Sequence, residues 1–98
     1  ILVVTETVFS MDSDVPNIAE LQDSCRAYGA TLAVDVAHDL GAIGPTGRGH
    51  LELQDMVGKV DVVMGSFSKT FASNGGFVAC NAPGLKLALR YFAGPLTF

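Results

Sequence analysis

Three short apolar runs fix what this chain can become. Ile1-Leu2-Val3-Val4, Thr31-Leu32-Ala33-Val34 and Val60-Asp61-Val62-Val63-Met64 are brief and rich in β-branched residues, the mark of buried strands. We place strands at 1–6, 31–35 and 60–65, and a fourth at 77–80. Between the first two, Ile18, Leu21, Cys25 and Tyr28 recur at helical spacing, so 17–28 reads as an amphipathic helix. Pro16 suits its start and Gly29 its end. The loop 9–16 is polar, and Gly41, Gly44, Pro45, Gly47 and Gly49 make the next connection rich in turns. A short helix is expected at 51–57. Another is expected at 83–92, with Leu85, Leu89 and Phe92 on one face. Strand, helix and strand with short links predict an α/β layer on a mainly parallel sheet. Continuous apolar strands predict a sheet covered on both faces. There is no internal repeat or low-complexity tract.

With 98 residues the chain holds one domain at most. It is 49% hydrophobic, with a mean hydropathy of +0.39. A domain of this size buries only about 60–70% of its unfolded surface. So much apolar content predicts surface meant for the rest of a longer protein or for a partner subunit. The abrupt start on a strand without Met and the stop at Leu96-Thr97-Phe98 read the same way, as a piece of a larger protein. The net charge is −4 and no basic stretch could track a phosphate backbone, which points away from nucleic acid. No apolar run approaches the ~20 residues of a membrane span, and no secretory leader is evident. Cys25 and Cys80 form no CxxC pair and read as reduced thiols of a cytoplasmic protein rather than metal ligands.

Each strand run ends in a polar cluster. Glu6 to Ser10, Asp35 to His38 and Ser66 to Lys69 all follow strands, and in parallel sheets ligands bind at the carboxyl ends of strands. A lysine, an aspartate and a histidine at one sheet edge suit an aldehyde cofactor. The Lys69 amine can form a Schiff base, and a carboxylate at Asp35 can pair with a ring nitrogen and keep it protonated. That is how proteins grip and tune pyridoxal phosphate. His38, three residues after Asp35, could hydrogen-bond the phenolic oxygen of the same ring or stack on it. Ser66 and Ser68 offer hydroxyls beside the lysine, suited to a phosphate. Taken singly, each residue has a blander role, Asp35 as a turn cap and Lys69 as a surface charge. Gly65 to Thr70 ends in Ser-Lys-Thr, but a P-loop needs glycine directly before its lysine, and Ser68 stands there. Gly44 to Gly49 could cradle a phosphate, but it follows no strand directly and suits tight turns better.

These motifs, in order along nearly the whole chain, resemble those of the α-oxoamine synthases, a pyridoxal-phosphate family of fold type I. The group includes serine palmitoyltransferase, 2-amino-3-ketobutyrate CoA ligase, 8-amino-7-oxononanoate synthase and 5-aminolevulinate synthase. The matching stretches are Thr5 to Asp14, Val34-Asp35-Val36-Ala37-His38-Asp39-Leu40-Gly41, Gly44 to Gly49, Gly65-Ser66-Phe67-Ser68-Lys69, Gly75-Gly76-Phe77 and Gly94-Pro95-Leu96-Thr97-Phe98. Three positions depart from the pattern. Ser13 stands for the usual glycine, Val36 for an acidic or small polar residue, and Asp39 where serine or alanine is common. Asp39 is therefore expected to bear on the substrate pocket.

The resemblance implies the large cofactor-binding domain of a fold-type I enzyme, with the small C-terminal domain and the N-terminal segment outside this chain. Lys69 would hold pyridoxal phosphate and later act as base at the substrate α-carbon. Asp35 would pair with the pyridinium nitrogen, His38 would contact the phenolic oxygen and Ser66 the phosphate, and Ser10 would lie near the ring. The reaction implied joins serine, glycine or alanine to an acyl-CoA or acyl-carrier thioester and gives an α-amino ketone. A homodimer is implied in the full-length protein, with the isolated 98 residues inactive. Another fold-type I enzyme, such as an aminotransferase or lyase, stays open as an alternative, and so does a non-catalytic binding homologue.

Overall fold

The computed structural model describes residues 1–94. The elements run β1 (Leu2–Glu6), α1 (Ile18–Ala27), β2 (Thr31–Asp35), α2 (Gly49–Leu53), β3 (Val62–Ser66), β4 (Gly76–Cys80) and α3 (Pro83–Phe92). The strands form one sheet in the order β1-β2-β3-β4. β1 to β2 and β2 to β3 pair in parallel, and β4 returns antiparallel to β3. The expected mainly parallel α/β sheet is what the chain forms. The antiparallel edge follows from the short link between β3 and β4, which turns a hairpin where a parallel crossover would need a dozen or more residues.

α1 begins where the Asn17 side chain accepts from the Glu20 amide at 3.2 Å, satisfying a free donor of the first turn. Glu20 and Arg26 then lie at the ends that suit their charge. The helix packs on the face of the sheet that carries Leu32 and Val34. Ile18, Cys25, Leu32, Val34, Val36, Leu51, Met56 and Val60 form the core there, flanked by Val3, Val63 and Phe77. Val36, which departs from the family pattern, is thus a core residue. Cys25 is buried, Cys80 is half-buried, and both are free thiols.

The opposite face is open, contrary to the expectation of cover on both sides. Leu2, Val4, Met64 and Val78 alternate with the core positions along their strands and are exposed. A strand directs successive side chains to opposite faces, and α1 and the core cluster occupy only one of them. Tyr28, expected on the inner face of α1, is also exposed, because the helix ends at Ala27. Gln22 lies inside instead, fully buried. Its amide nitrogen donates to Asp61 Oδ2 at 3.0 Å. Phe92, expected on the inner face of α3, is exposed too, whereas Leu85 and Leu89 are half-buried.

Three element boundaries shift for identifiable reasons. β3 starts at Val62 rather than Val60, because the Asp61 carboxylate turns aside to accept from the Leu32 amide at 2.9 Å. α2 starts at Gly49 rather than Leu51, because the carboxylate of Asp39, distant in sequence, accepts from the His50 amide at 2.6 Å. It ends early as well, since Asp55 takes a positive φ of 53° and the Met56 amide turns back to Leu51 O at 2.7 Å. Among the described residues no helix is long and apolar enough to cross a membrane. Of the motif expected at 94–98, Pro95 to Phe98 lie outside the described residues.

Candidate functional site

The carboxyl ends of β1, β2 and β3 meet at one edge of the open face. Glu6 is in register with Asp35, and Asp35 with Met64. Strict alternation puts Glu6, Asp35, Met64 and Ser66 on that same face. The Val36 amide donates to Met64 O at 2.8 Å, which ties the end of β2 to β3 beside the lysine-bearing loop. Asp35 is half-buried. Its Oδ1 accepts from the Ala37 amide at 2.8 Å, and no residue among those described bonds Oδ2. The carboxylate is therefore fixed in direction with one oxygen uncommitted, the arrangement needed to receive a ring N–H.

His38 faces the end of β1, with Nδ1 3.2 Å from Glu6 Oε2. A carboxylate oxygen accepts, so Nδ1 carries the proton in this contact and Nε2 stays available. Glu6 belongs to the site by position and sequence reasoning gave it no role. Its signal was its place as the last residue of β1, in register with Asp35.

Lys69 rides on the hairpin between β3 and β4. The loop is closed by three main-chain bonds: Phe67 N to Gly75 O at 3.0 Å, Ser73 N to Phe67 O at 2.9 Å and Ala72 N to Lys69 O at 3.0 Å. Phe67 stacks on Phe77 with ring centroids 5.9 Å apart and meets Phe71 edge-on at 5.8 Å. The lysine side chain is exposed. The Ser66 and Ser68 hydroxyls are 2.7 Å apart, and Ser66 Oγ also accepts from the Ser68 amide at 3.1 Å. Two hydroxyls and a lysine thus project from one turn, a polar set suited to a phosphate and an aldehyde carbon. Gly65 is needed for this packing, since a Cβ there would lie 2.7 Å from the Phe77 ring. Ser10 stands apart. It is exposed in the loop after β1 and makes no side-chain hydrogen bond to the other site residues.

The glycine-rich loop forms tight turns. Gly47 N donates to Gly44 O at 3.1 Å and Gly49 N to Ile43 O at 2.8 Å. The Glu52 carboxylate fills its centre, accepting from the Thr46 hydroxyl at 2.7 Å and from the Thr46 and Arg48 amides. These bonds, that of the Thr46 hydroxyl foremost, hold the Glu52 carboxyl below its ordinary pKa. Negative charge already occupies the place where a phosphate would have to sit.

The residue types at the sheet edge suit pyridoxal phosphate, and comparisons with known proteins point to the same cofactor. The family of class I and II aminotransferases matches residues 1–98. The chain belongs to the class I and II aminotransferase family. Within this family its relatives are α-oxoamine synthases. Serine palmitoyltransferase of Sphingomonas paucimobilis is 41% identical over 97 residues, covering 99% of this chain and 23% of that enzyme. A putative 8-amino-7-oxononanoate synthase 2 of Mycobacterium tuberculosis is 42% identical over 82 residues, 84% of this chain and 11% of its own length. A serine palmitoyltransferase solved with pyridoxal phosphate as the internal aldimine superposes with a TM-score of 0.86 at 41% identity, over 99% of this chain and 24% of that one. The chain spans about a quarter or less of the length of the curated relatives it matches. Its sheet is that part of the aminotransferase-family fold, fold type I.

Proposed function

We propose that this chain is part of the cofactor-binding large domain of a pyridoxal-phosphate-dependent C-acyltransferase. The enzyme condenses serine, glycine or alanine with an acyl-CoA or acyl-carrier thioester to an α-amino ketone, with the thiol and often CO₂ leaving. The observation that carries the reading is Asp35, fixed at the carboxyl end of β2 with one oxygen uncommitted, beside the Lys69 hairpin. The likeness to serine palmitoyltransferase over the whole chain supports it.

Each residue then has a defined task. Lys69 Nζ would hold the cofactor at its aldehyde carbon and would serve as the base toward the substrate α-carbon. Asp35 holds the ring nitrogen protonated, which a carboxylate does by favouring the charged form beside it. His38, oriented by Glu6 through Nδ1, presents Nε2 to the ring's phenolic oxygen. Ser66 donates to the phosphate, and Ser10 lines the approach to the ring. When bound, pyridoxal phosphate supplies the electron sink that makes an amino-acid α-carbon acidic. The open apolar face fits burial against the rest of a larger protein or a partner subunit, and we take that protein to be a cytoplasmic homodimer.

The test uses the protein that contains this chain, purified with pyridoxal phosphate. Borohydride reduction followed by peptide mapping should place the label on Lys69, and incubation with amino acid and acyl-CoA should release thiol. A label elsewhere, or none, defeats the cofactor assignment. A label on Lys69 with no acyl thioester consumed by any of the three amino acids defeats the acyltransferase assignment and leaves another fold-type I reaction.

A further inference from the structure

The dipeptides Glu6-Thr7 and His38-Asp39 are zipped together by two parallel contacts. On the half-buried side Glu6 Oε2 meets His38 Nδ1 at 3.2 Å. On the inner side the Thr7 hydroxyl donates to Asp39 Oδ1 at 2.8 Å, and both residues are fully buried. The Thr7 amide also donates to Asp35 O at 2.9 Å, with the hydroxyl 3.2 Å from the same carbonyl. The other Asp39 oxygen accepts from the His50 amide at 2.6 Å and meets His50 Nδ1 at 3.1 Å. Gly49 is required for this approach. It takes φ +70°, and a Cβ on it would lie 2.5 Å from the Asp39 carboxyl carbon.

We propose that Thr7, Asp39 and His50 form a positioning clamp that sets the Glu6–His38 pair, and through it the direction of the His38 ring toward the cofactor. Asp39 was expected to bear on the substrate pocket. It is instead fully buried and committed to three donors, so it acts through its neighbours. The geometry makes the link direct. Thr7 and Asp39 are each one peptide bond from the residues of the Glu6–His38 contact, and a buried carboxylate with three donors cannot drift without leaving them unpaired. His50 joins the clamp to α2, so the histidine loop is braced from β1 on one side and from the helix on the other. Supporting hydrogen bonds of this kind orient a ligand-holding imidazole. The inference rests on the cofactor reading for its consequence and on the apoprotein geometry alone for its existence.

The test compares Thr7→Val, which keeps the shape of the side chain and removes the hydroxyl, with Thr7→Ser, which keeps the hydroxyl. Both leave Asp39 and its bonds to His50 in place. The readouts are the side-chain nitrogen and proton resonances of His38 in the apoprotein, and the dissociation constant of pyridoxal phosphate for the holoprotein. Thr7→Val should shift the His38 resonances toward those of a free imidazole and weaken cofactor binding about tenfold, the lower end of what losing the bond behind a metal-holding imidazole does. Thr7→Ser should match the wild type in both. Wild-type His38 resonances in Thr7→Val overturn the clamp, even if its melting temperature falls. So does a Thr7→Ser variant as perturbed as Thr7→Val, which would make the methyl group the cause. A wild-type protein that binds no pyridoxal phosphate defeats the functional reading, and the apoprotein resonances still decide the clamp.

Discussion

Asp61 ties α1 to the edge of the sheet beside the apolar core. Its Oδ2 accepts from the Leu32 amide at 2.9 Å and from Gln22 Nε2 at 3.0 Å, and its own amide donates to Gln22 Oε1 at 3.2 Å. Leu32 and Gln22 are both fully buried. Asp61→Ala leaves two buried donors unpaired. Each costs about 1–3 kcal/mol, and because Asp61 itself is half-buried, water can reach the vacated position and keep the sum near 2–4 kcal/mol. At about 1.4 kcal/mol per tenfold, that is roughly a 30- to 700-fold faster local opening. Amide hydrogen exchange in the protein that contains this chain reads it directly. Leu32 should lose that much protection, and Val34, inside the parallel ladders, should lose far less. Exchange at Leu32 within about twofold of wild type would refute the account. A pH dependence follows as well. The bond from the Leu32 amide, then that from Gln22, holds the Asp61 carboxyl below the usual aspartate range. A carboxyl whose folded pKa is depressed contributes stability that is present above the unfolded pKa and is lost as pH falls through the folded one. The difference between wild type and Asp61→Ala should therefore be full at neutral pH and shrink below about pH 4.

Two further outcomes are expected. Asp35→Asn keeps an oxygen for the Ala37 amide but cannot hold a ring nitrogen protonated, so kcat should fall about 10²- to 10³-fold with cofactor still incorporated; steady-state kinetics beside the visible spectrum would show it, and an unchanged kcat would remove Asp35 from the chemistry. Ser13 sits at φ +58°, where the family pattern has glycine, so Ser13→Gly should relieve about 1–2 kcal/mol of left-handed strain. The added freedom of the unfolded chain offsets part of that, leaving a gain of about 0.5–1 kcal/mol in chemical denaturation, and a loss of stability would contradict it.

The strand and helix order was legible because apolar period and glycine punctuation are local signals. The placing of Lys69, Asp35 and His38 just beyond strand ends was legible for a related reason. Each follows an apolar run closely, and topology alone carries strand ends to one edge. What stayed hidden was set by partners far along the chain. No local residue caps α2, so nothing near Gly49 announced its start. The cap comes from Asp39. Gln22 reads as a surface residue on its helix until Asp61 is seen opposite it. Glu6 gains a role only through the register of β1 with β2. Composition announced that apolar surface would be left over, but not which face would carry it, since an apolar strand reads the same whether its cover lies in this chain or outside it.

The hairpin that carries Lys69 has a consequence of a different kind. Both of its ends are tied into the flanking strands, so one inserted residue between 67 and 75 would leave the ladder intact while resetting the main-chain bonds that close the loop. The same residue adds up to about 3.3–3.6 Å of chain, and a misplacement of about 1 Å at a reacting group can cost roughly a hundredfold in rate. The length of this loop is thus set locally by its own closing bonds and, on the proposed function, far more strictly by the chemistry. A change in the spacing between Ser66 and Gly76 would separate a relative that keeps the architecture from one that keeps the reaction.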